Sequence, residues 1–299
     1  MKVFVTGGKG YVGTKFFEKY SNELDIIIQT HNKLKNENSL KKVIYLDIQN
    51  PNIIQEIIKE APDIVVHLAA KTSLKFCQEE PEKAFDVNVN GTINVIKACI
   101  ESKSKLIFIS TKEVYGEHNS KKCSESDIIK PINVYGLTKF VSEILIKNAG
   151  EKMNLKYVIL RVSSIYGPGR MTGINSLFVN AVKNKKIIVN DGQQVTNLIY
   201  IDDFLDILYQ SLKNNLAETE IINVGTKECI KLNDIVKKLE KNFDDLKKTY
   251  DKKPEYEMNQ FCPNIEKMNQ IFGKKQFVTL DEGIKKTLEF MKKQFKIKS

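Results

Sequence analysis

A doubly wound α/β fold, a parallel sheet covered by helices on both faces, is what this chain predicts, and three observations carry the prediction. Short apolar runs alternate with amphipathic segments from residue 2 to residue 162, the pattern of strands joined by crossover helices. The first run leads straight into a glycine-dense turn, Thr6-Gly7-Gly8-Lys9-Gly10-Tyr11-Val12-Gly13, that opens a helix. At 299 residues, with 41% hydrophobic and 28% charged side chains, the chain has material for one large domain or two closely joined ones.

The expected strand at 2–5 and helix at 11–20 frame the turn. Its spacing reads as Gly8-x-Gly10-x-x-Gly13 or as Thr6-Gly7-x-x-Gly10-x-x-Gly13, and the strand–turn–helix context gives either reading its meaning. Glycine admits positive φ and, lacking a Cβ, lets a pyrophosphate approach the backbone. Gly13 is expected to let the helix lie close on the strand. The first free N–H groups of the helix then face the phosphates. Gly7, Gly10, Tyr11, Val12 and Gly13 are therefore the expected cradle of a dinucleotide in a Rossmann-type domain.

The second strand, at 24–30, runs into Gln29, Thr30, His31, Asn32 and Lys33. A site selecting NAD puts an acid here for the ribose 2′-OH, and this chain has none. Lys9, His31 and Lys33 instead supply positive charge suited to a 2′-phosphate. The expectation is NADP, with NAD as the alternative.

Strands at 43–46, 63–68, 105–110 and 155–162 follow, with helices at 51–61, 81–102 and 134–148 between them. Leu68, Ala69 and Ala70 end the fourth strand, and small residues there let a cofactor lie against the strand's carboxyl end. His67, inside that apolar strand, reads as a core histidine. Beyond residue 170 the strand pattern thins to short strands at 187–189, 198–201 and 221–224 and helices at 176–183, 203–212, 233–246 and 280–295. The expected division is a dinucleotide-binding domain over 1–170, rejoined near 198–225, and a smaller α+β substrate-binding region over 171–299.

The net charge is +10, and all the positive charge but Arg161 and Arg170 is lysine, interleaved with acids and amides. No recognition helix, zinc knuckle or aromatic–basic alternation accompanies it, so the charge argues a preference for small anions rather than nucleic acid. Five scattered cysteines without a C-x-x-C, beside three histidines, suggest reduced thiols and no metal site. The chain enters a strand at once and has no apolar run of membrane-spanning length, so a cytoplasmic protein without a membrane partner is expected.

Tyr135 and Lys139 are four apart on an expected helix and share a face. A free phenol, with a pKa of about 10, is a poor acid or base at neutral pH. A neighbouring ammonium and a cationic nicotinamide ring favour the phenolate. Thr111, at the end of the fifth strand, is suited to holding a substrate oxygen where Tyr135 exchanges its proton.

With these residues in view, the chain resembles an extended short-chain dehydrogenase/reductase of the NAD-dependent epimerase/dehydratase type. The likeness rests on the glycine turn, Asp47-Ile48, His67-Leu68-Ala69-Ala70, Asn88-Val89-Asn90-Gly91-Thr92, Ser110-Thr111 with Val114-Tyr115-Gly116, and Tyr135-Gly136-x-x-Lys139. It continues through Arg161, Tyr166-Gly167-Pro168-Gly169, Tyr200-Ile201-Asp202-Asp203 and Asn223-Val224-Gly225, in family order. The resemblance implies a bound NAD(P), with Asp47 and Ile48 near adenine and Leu68, Ala69, Ala70 and Asn88 along the cofactor. It implies Thr111, Tyr135 and Lys139 as catalytic residues, a nucleotide sugar altered through a 4-keto form, and a homodimer.

Departures from the family pattern refine the expectation. Lys112 replaces the aspartate that dehydratases carry before Glu113, and Ser164 stands where 4-epimerases have asparagine. Val195-Thr196-Asn197 replaces an arginine used on substrate diphosphate, leaving Arg170 as a candidate, with Glu113, for substrate contact. The expected activity is a 4-keto-(6-deoxy)-sugar nucleotide reductase. A nucleotide-sugar 4-epimerase or 4,6-dehydratase is the alternative, and a non-catalytic cofactor-binding subunit the competing class.

Overall fold

The computed structural model describes residues 1–31, 42–117 and 122–296. The first half runs β1 (Lys2–Thr6), α1 (Tyr11–Tyr20), β2 (Asp25–Thr30), β3 (Val43–Tyr45), α2 (Asn52–Glu60) and β4 (Ile64–His67). Then come α3 (Leu74–Glu79), α4 (Pro81–Phe85), α5 (Gly91–Ser102), β5 (Lys105–Thr111), α6 (Val134–Met153) and β6 (Tyr157–Val162). The second half begins β7 (Ser164–Tyr166), α7 (Asn175–Asn184), β8 (Lys186–Asn190), β9 (Val195–Tyr200) and α8 (Ile201–Lys213). It ends β10 (Glu220–Val224), β11 (Cys229–Lys231), α9 (Leu232–Glu240), β12 (Lys247–Asp251), α10 (Glu266–Phe272) and α11 (Leu280–Gln294).

Seven parallel strands form the main sheet in the order β10-β6-β5-β4-β1-β2-β3. Strand order reverses between β1 and β4, and the carboxyl ends at such a switch open the crevice where α/β sheets bind ligands. Successive side chains of β1 point to opposite faces. Val3 and Val5 join one core with Phe16 of α1 and Phe204 and Leu208 of α8. Phe4 joins the other, with Ile53 and Ile57 of α2, Val95 of α5 and Ile146 of α6. β10 brings the chain back to the sheet beside β6. Two small sheets, β11-β9-β7 and β12-β8, stand outside it.

Two local expectations change. The single helix expected over 81–102 is α4 and α5 joined by a π-helical turn, Asp86–Asn90. The wider turn directs Asn88 inward, where its side chain bonds Lys71 and Thr138. β12, whose residues are all exposed, carries no apolar alternation that sequence reading detects, and backbone pairing to β8 makes it a strand.

The expectation of reduced cysteines is corrected at one pair: Cys229 and Cys262 form a disulfide with their Cα atoms 5.6 Å apart. β11 and the segment before Cys262 flank β9 on opposite edges, Val195 pairing with Lys231 on one side and Gln260 on the other. Residues 33 apart in sequence thereby meet. Cys77, Cys99 and Cys123 are buried free thiols. Among the described residues no helix is long and apolar enough to cross a membrane, and no group of three or more His, Cys, Asp or Glu side chains is arranged to hold a metal.

Candidate active site

The glycine turn sits at the carboxyl end of β1. Gly7 has φ +63°, and a Cβ there would lie 2.7 Å from the Ala69 backbone, so only glycine fits. A Cβ on Gly13 would lie 2.5 Å from the Gly8 Cα, so its near neighbour is the turn itself rather than the strand. Gly10 is different: it is exposed, and an added Cβ meets only the Gly7 carbonyl, at 3.1 Å. Gly10 is the N-cap of α1, which has no side-chain cap and no acid in its first turn. Free N–H groups, open space and no carboxylate make a cradle that fits a cofactor pyrophosphate. Tyr11 and Val12 begin the helix behind it.

Gln29 is a residue that sequence reading noted only as a missing acid. Its Oε1 accepts the Gly7 N–H at 3.0 Å and its Nε2 donates to the Leu46 carbonyl, tying the turn to β2 and to the end of β3. His31 follows exposed, and Lys9 is part-buried in the turn. Lys33 lies outside the described residues. Asp47 is exposed and accepts the Gln49 N–H at 3.0 Å, while Ile48 is buried against Gly91.

The segment Leu68-Ala69-Ala70 is held from both sides. Thr6 Oγ1 accepts the Leu68 and Ala69 N–H groups at 3.2 Å and contacts His67 Nδ1 at 2.6 Å. Thr92 gives its one hydroxyl proton to the Asn88 carbonyl, so it receives the proton of His67 Nε2, 2.9 Å away. Thr6 must then donate to Nδ1. Burial drops the His67 pKa to about 3, the Lys139 charge adding to the fall, so the ring is neutral and part of the core. Asn88 accepts the Lys71 N–H at 2.7 Å and donates to Thr138 Oγ1 at 2.9 Å, locking this segment to α6.

Thr111 ends β5, and α6 presents Tyr135 to it. Asn133 caps the helix by accepting the Gly136 N–H at 2.7 Å. A Cβ on Gly136 would lie 2.4 Å from the Glu113 carbonyl, so glycine admits the first turn of α6 to the strand end. The Tyr135 phenol lies beside the Thr111 side chain. Burial raises its pKa, the nearby Glu113 carboxylate adds to the rise, and the Thr111 hydroxyl and the Arg170 charge oppose it. One turn on, Lys139 is 3% exposed with its ammonium 3.8 Å from the Phe108 ring centroid. Burial lowers its pKa from 10.5 to about 7, against the pull of Glu143.

Glu113 is buried and engaged on both oxygens: Asn133 Nδ2 donates to one at 2.9 Å, and Lys112 Nζ lies 3.2 Å from the other. Asn133 also donates to the Tyr256 carbonyl at 3.0 Å, so the second half of the chain closes on this corner. An asparagine three residues before a helical glycine is a cap signal that sequence reading had available. Arg161 is spent in the core, donating to Glu143 Oε2 at 2.7 Å and to the Tyr115 hydroxyl at 3.0 Å. Arg170 lies over the Tyr11 ring, 5.7 Å from its centroid, close enough for its charge to act on Tyr135. Thus Thr111, Glu113 and Arg170 all act on Tyr135, with Tyr11 under Arg170 and Lys139 one turn along α6, whereas His31 and Asp47 are exposed after β2 and β3.

The family model for the NAD dependent epimerase/dehydratase family matches residues 3–225. The chain belongs to that family. It is an enzyme of the extended short-chain dehydrogenase/reductase type, as the sequence resemblance implied. A Methanocaldococcus jannaschii protein provisionally named UDP-glucose 4-epimerase is 31% identical, over 97% of this chain and 98% of its own. The Bos taurus dTDP-D-glucose 4,6-dehydratase is 28% identical over 98% of this chain and 89% of its own. The crystal structure of the Bacillus cereus UDP-glucuronic acid 4-epimerase with UDP-glucuronic acid and NAD superposes with a TM-score of 0.89, at 26% identity over 98% of this chain and 100% of its own.

Proposed function

We propose that this enzyme is an NAD-dependent nucleotide-sugar 4-epimerase, with Thr111, Tyr135 and Lys139 as its catalytic residues. The observation that carries the reading is Tyr135 beside Thr111 and one helical turn from a buried Lys139, with Glu113 already engaged by Lys112 and Asn133. Elimination needs a carboxylate free to take or give a proton at the sugar. Here Glu113, the acid beside Tyr135, is engaged by Lys112 and Asn133, and a lysine stands where dehydratases carry aspartate. Reversible oxidation at C4 needs only an oxygen holder, a proton carrier and a charge that favours the phenolate.

Thr111 orients the C4 hydroxyl, and Tyr135 takes its proton and returns it to the same oxygen. Lys139, protonated below about pH 7, stabilises the phenolate between the two transfers. The glycine turn, Leu68, Ala69, Ala70 and the segment held by Asn88 would bind NAD, which supplies the hydride acceptor and donor at C4. Residues 171–299, apart from α8 and the return through β10, would cover the sugar nucleotide. Exposed Leu137 and Ile144, seven apart on one face of α6, support a homodimer that size-exclusion chromatography tests.

A second reading, a 4-keto-sugar reductase preferring NADPH, keeps the same catalytic residues. Its support is the neutral end of β2, where Gln29 is occupied with the glycine turn, and the positive charge of Lys9.

One experiment separates the two. Purified enzyme is incubated with UDP-glucose and with UDP-glucuronate without added cofactor, and products are read by NMR at C4. In parallel, NADPH and NADH oxidation is followed on a 4-keto sugar nucleotide. C4 epimers formed without added cofactor support the epimerase. NADPH consumption without any epimer supports the reductase and defeats the epimerase. Tyr135→Phe lowers either rate by about 10²–10⁴-fold if the tyrosine carries the proton, and near-normal turnover removes it from that role.

A further inference from the structure

The chain has two arginines, and their surroundings differ. Arg161 is paired with Glu143 in the core. Arg170 reaches the catalytic cleft without a carboxylate partner among the described residues. A guanidinium has five N–H donors, and Arg170 uses one, from Nη1 to the Ile165 carbonyl at 3.1 Å. Beneath it is Tyr11, whose hydroxyl is buried with no hydrogen-bond partner. The loop carrying Arg170 is held by Asn175, whose Nδ2 donates to the Gly167 carbonyl at 2.7 Å and the Arg170 carbonyl at 3.1 Å. Those two bonds fix the amide's orientation and leave its Oδ1 buried without a partner. Unpaired buried polar atoms are costly, and here two of them belong to the residues that flank Arg170, the Tyr11 ring beneath it and Asn175 on its carbonyl.

We infer that Arg170 and the Tyr11 hydroxyl form a receptor for a carboxylate on the sugar, so that the preferred substrate is a nucleoside-diphosphate uronic acid. The identity of the sugar rests on the C4 chemistry proposed above; the need for an anion rests on Arg170 itself. Two considerations select a sugar carboxylate over the nucleotide diphosphate. Arg170 lies close enough to act on Tyr135, the group that serves C4, and a C6 carboxylate is carried by the neighbouring C5, whereas the diphosphate leaves from C1 across the ring. The planar guanidinium fork also matches a carboxylate's two oxygens. No proton or electron moves in this recognition: Arg170 positions substrate and takes no part in the transfer at C4.

The test is binding to the full-length enzyme saturated with NAD, by isothermal titration, with UDP-glucuronate, UDP-glucose and UDP as probes. Wild type is expected to bind UDP-glucuronate at least tenfold tighter than UDP-glucose. Arg170→Met is expected to weaken UDP-glucuronate by about 10–100-fold, the usual range for a lost charged hydrogen bond, and UDP-glucose and UDP by less than threefold. Arg170→Lys recovers part of the loss, and Tyr11→Phe shows a smaller loss confined to the uronate. Equal weakening of all three probes would assign Arg170 to the diphosphate and overturn the inference. So would a loss of NAD affinity alone, or no change. Circular dichroism and melting of each variant exclude a folding defect, and Arg170→Lys keeps the test decisive if Arg170→Met melts early. Because the readout is binding, absence of C4 epimerisation defeats the proposed reaction and leaves this inference standing. Epimerisation of UDP-glucose without any uronate preference defeats the inference alone.

Discussion

Lys139→Met separates the stability of the fold from its chemistry. Lys139 is buried, and burial lowers its pKa from 10.5 to about 7. The sign follows from proton binding. Between pH 7 and 10.5 the unfolded chain holds a proton on this amine that the folded protein has shed, so its contribution to stability rises with pH across that window. The penalty is complete below pH 7 and gone above 10.5. At about 1.36 kcal/mol per pH unit, it is about 4 kcal/mol at pH 7 and about 1 kcal/mol at pH 9.5. Methionine keeps the apolar stem but gives up the cation's contact with the Phe108 ring, worth about 2 kcal/mol when desolvated. The cofactor-free variant is therefore expected to be more stable than wild type by about 2 kcal/mol at pH 7, and by only about 1 kcal/mol at pH 9.5, where the folded amine is already neutral and has no cation–ring contact to lose. Urea unfolding of both proteins at the two pH values measures this, and turnover of the variant should fall with loss of phenolate stabilisation. A variant less stable than wild type at pH 7, or an advantage unchanged at pH 9.5, would refute the reasoning.

Three further outcomes are expected. Gly10→Ala should leave the melting temperature near wild type, because its Cβ meets only one carbonyl, yet weaken NAD in a fluorescence titration; Gly13→Val should destabilise the fold itself. Unchanged NAD affinity in a folded Gly10→Ala enzyme would make the turn merely structural. Glu143→Ala strands the buried Arg161 charge, so denaturant unfolding should register a loss of about 3–5 kcal/mol; a loss under 1 kcal/mol would mean that the core tolerates the lone cation. Cys229→Ser, or reduction of the wild type, removes a cross-link between residues 33 apart and should cost about 2–4 kcal/mol, with identical melting of the oxidised and reduced protein counting against the bond.

The sequence by itself determined the sheet and its helices, the glycine cradle and the Tyr135–Lys139 pair. These depend on short-range geometry: strand and helix periods, a turn that only glycine can make, and a four-residue spacing that is one helical turn. It also marked His67 as a core residue, because a histidine inside an apolar strand has to find its partners there. Only the tertiary structure decided what the polar side chains do once folded. Gln29 became a tie between β2, β3 and the glycine turn, Glu113 was neutralised by Lys112 and Asn133, and Arg161 and Arg170 received opposite roles. The same holds for the Cys229–Cys262 bond and for β12, which exist because β9 and β8 offer edges to distant segments. A hydrogen bond or ion pair between residues 18 to 22 apart, as in Glu143–Arg161, Glu113–Asn133 and Gly7–Gln29, leaves no periodic trace in the chain. Which partner a polar group meets depends on which faces the packed cores bring together, and that is visible only in three dimensions.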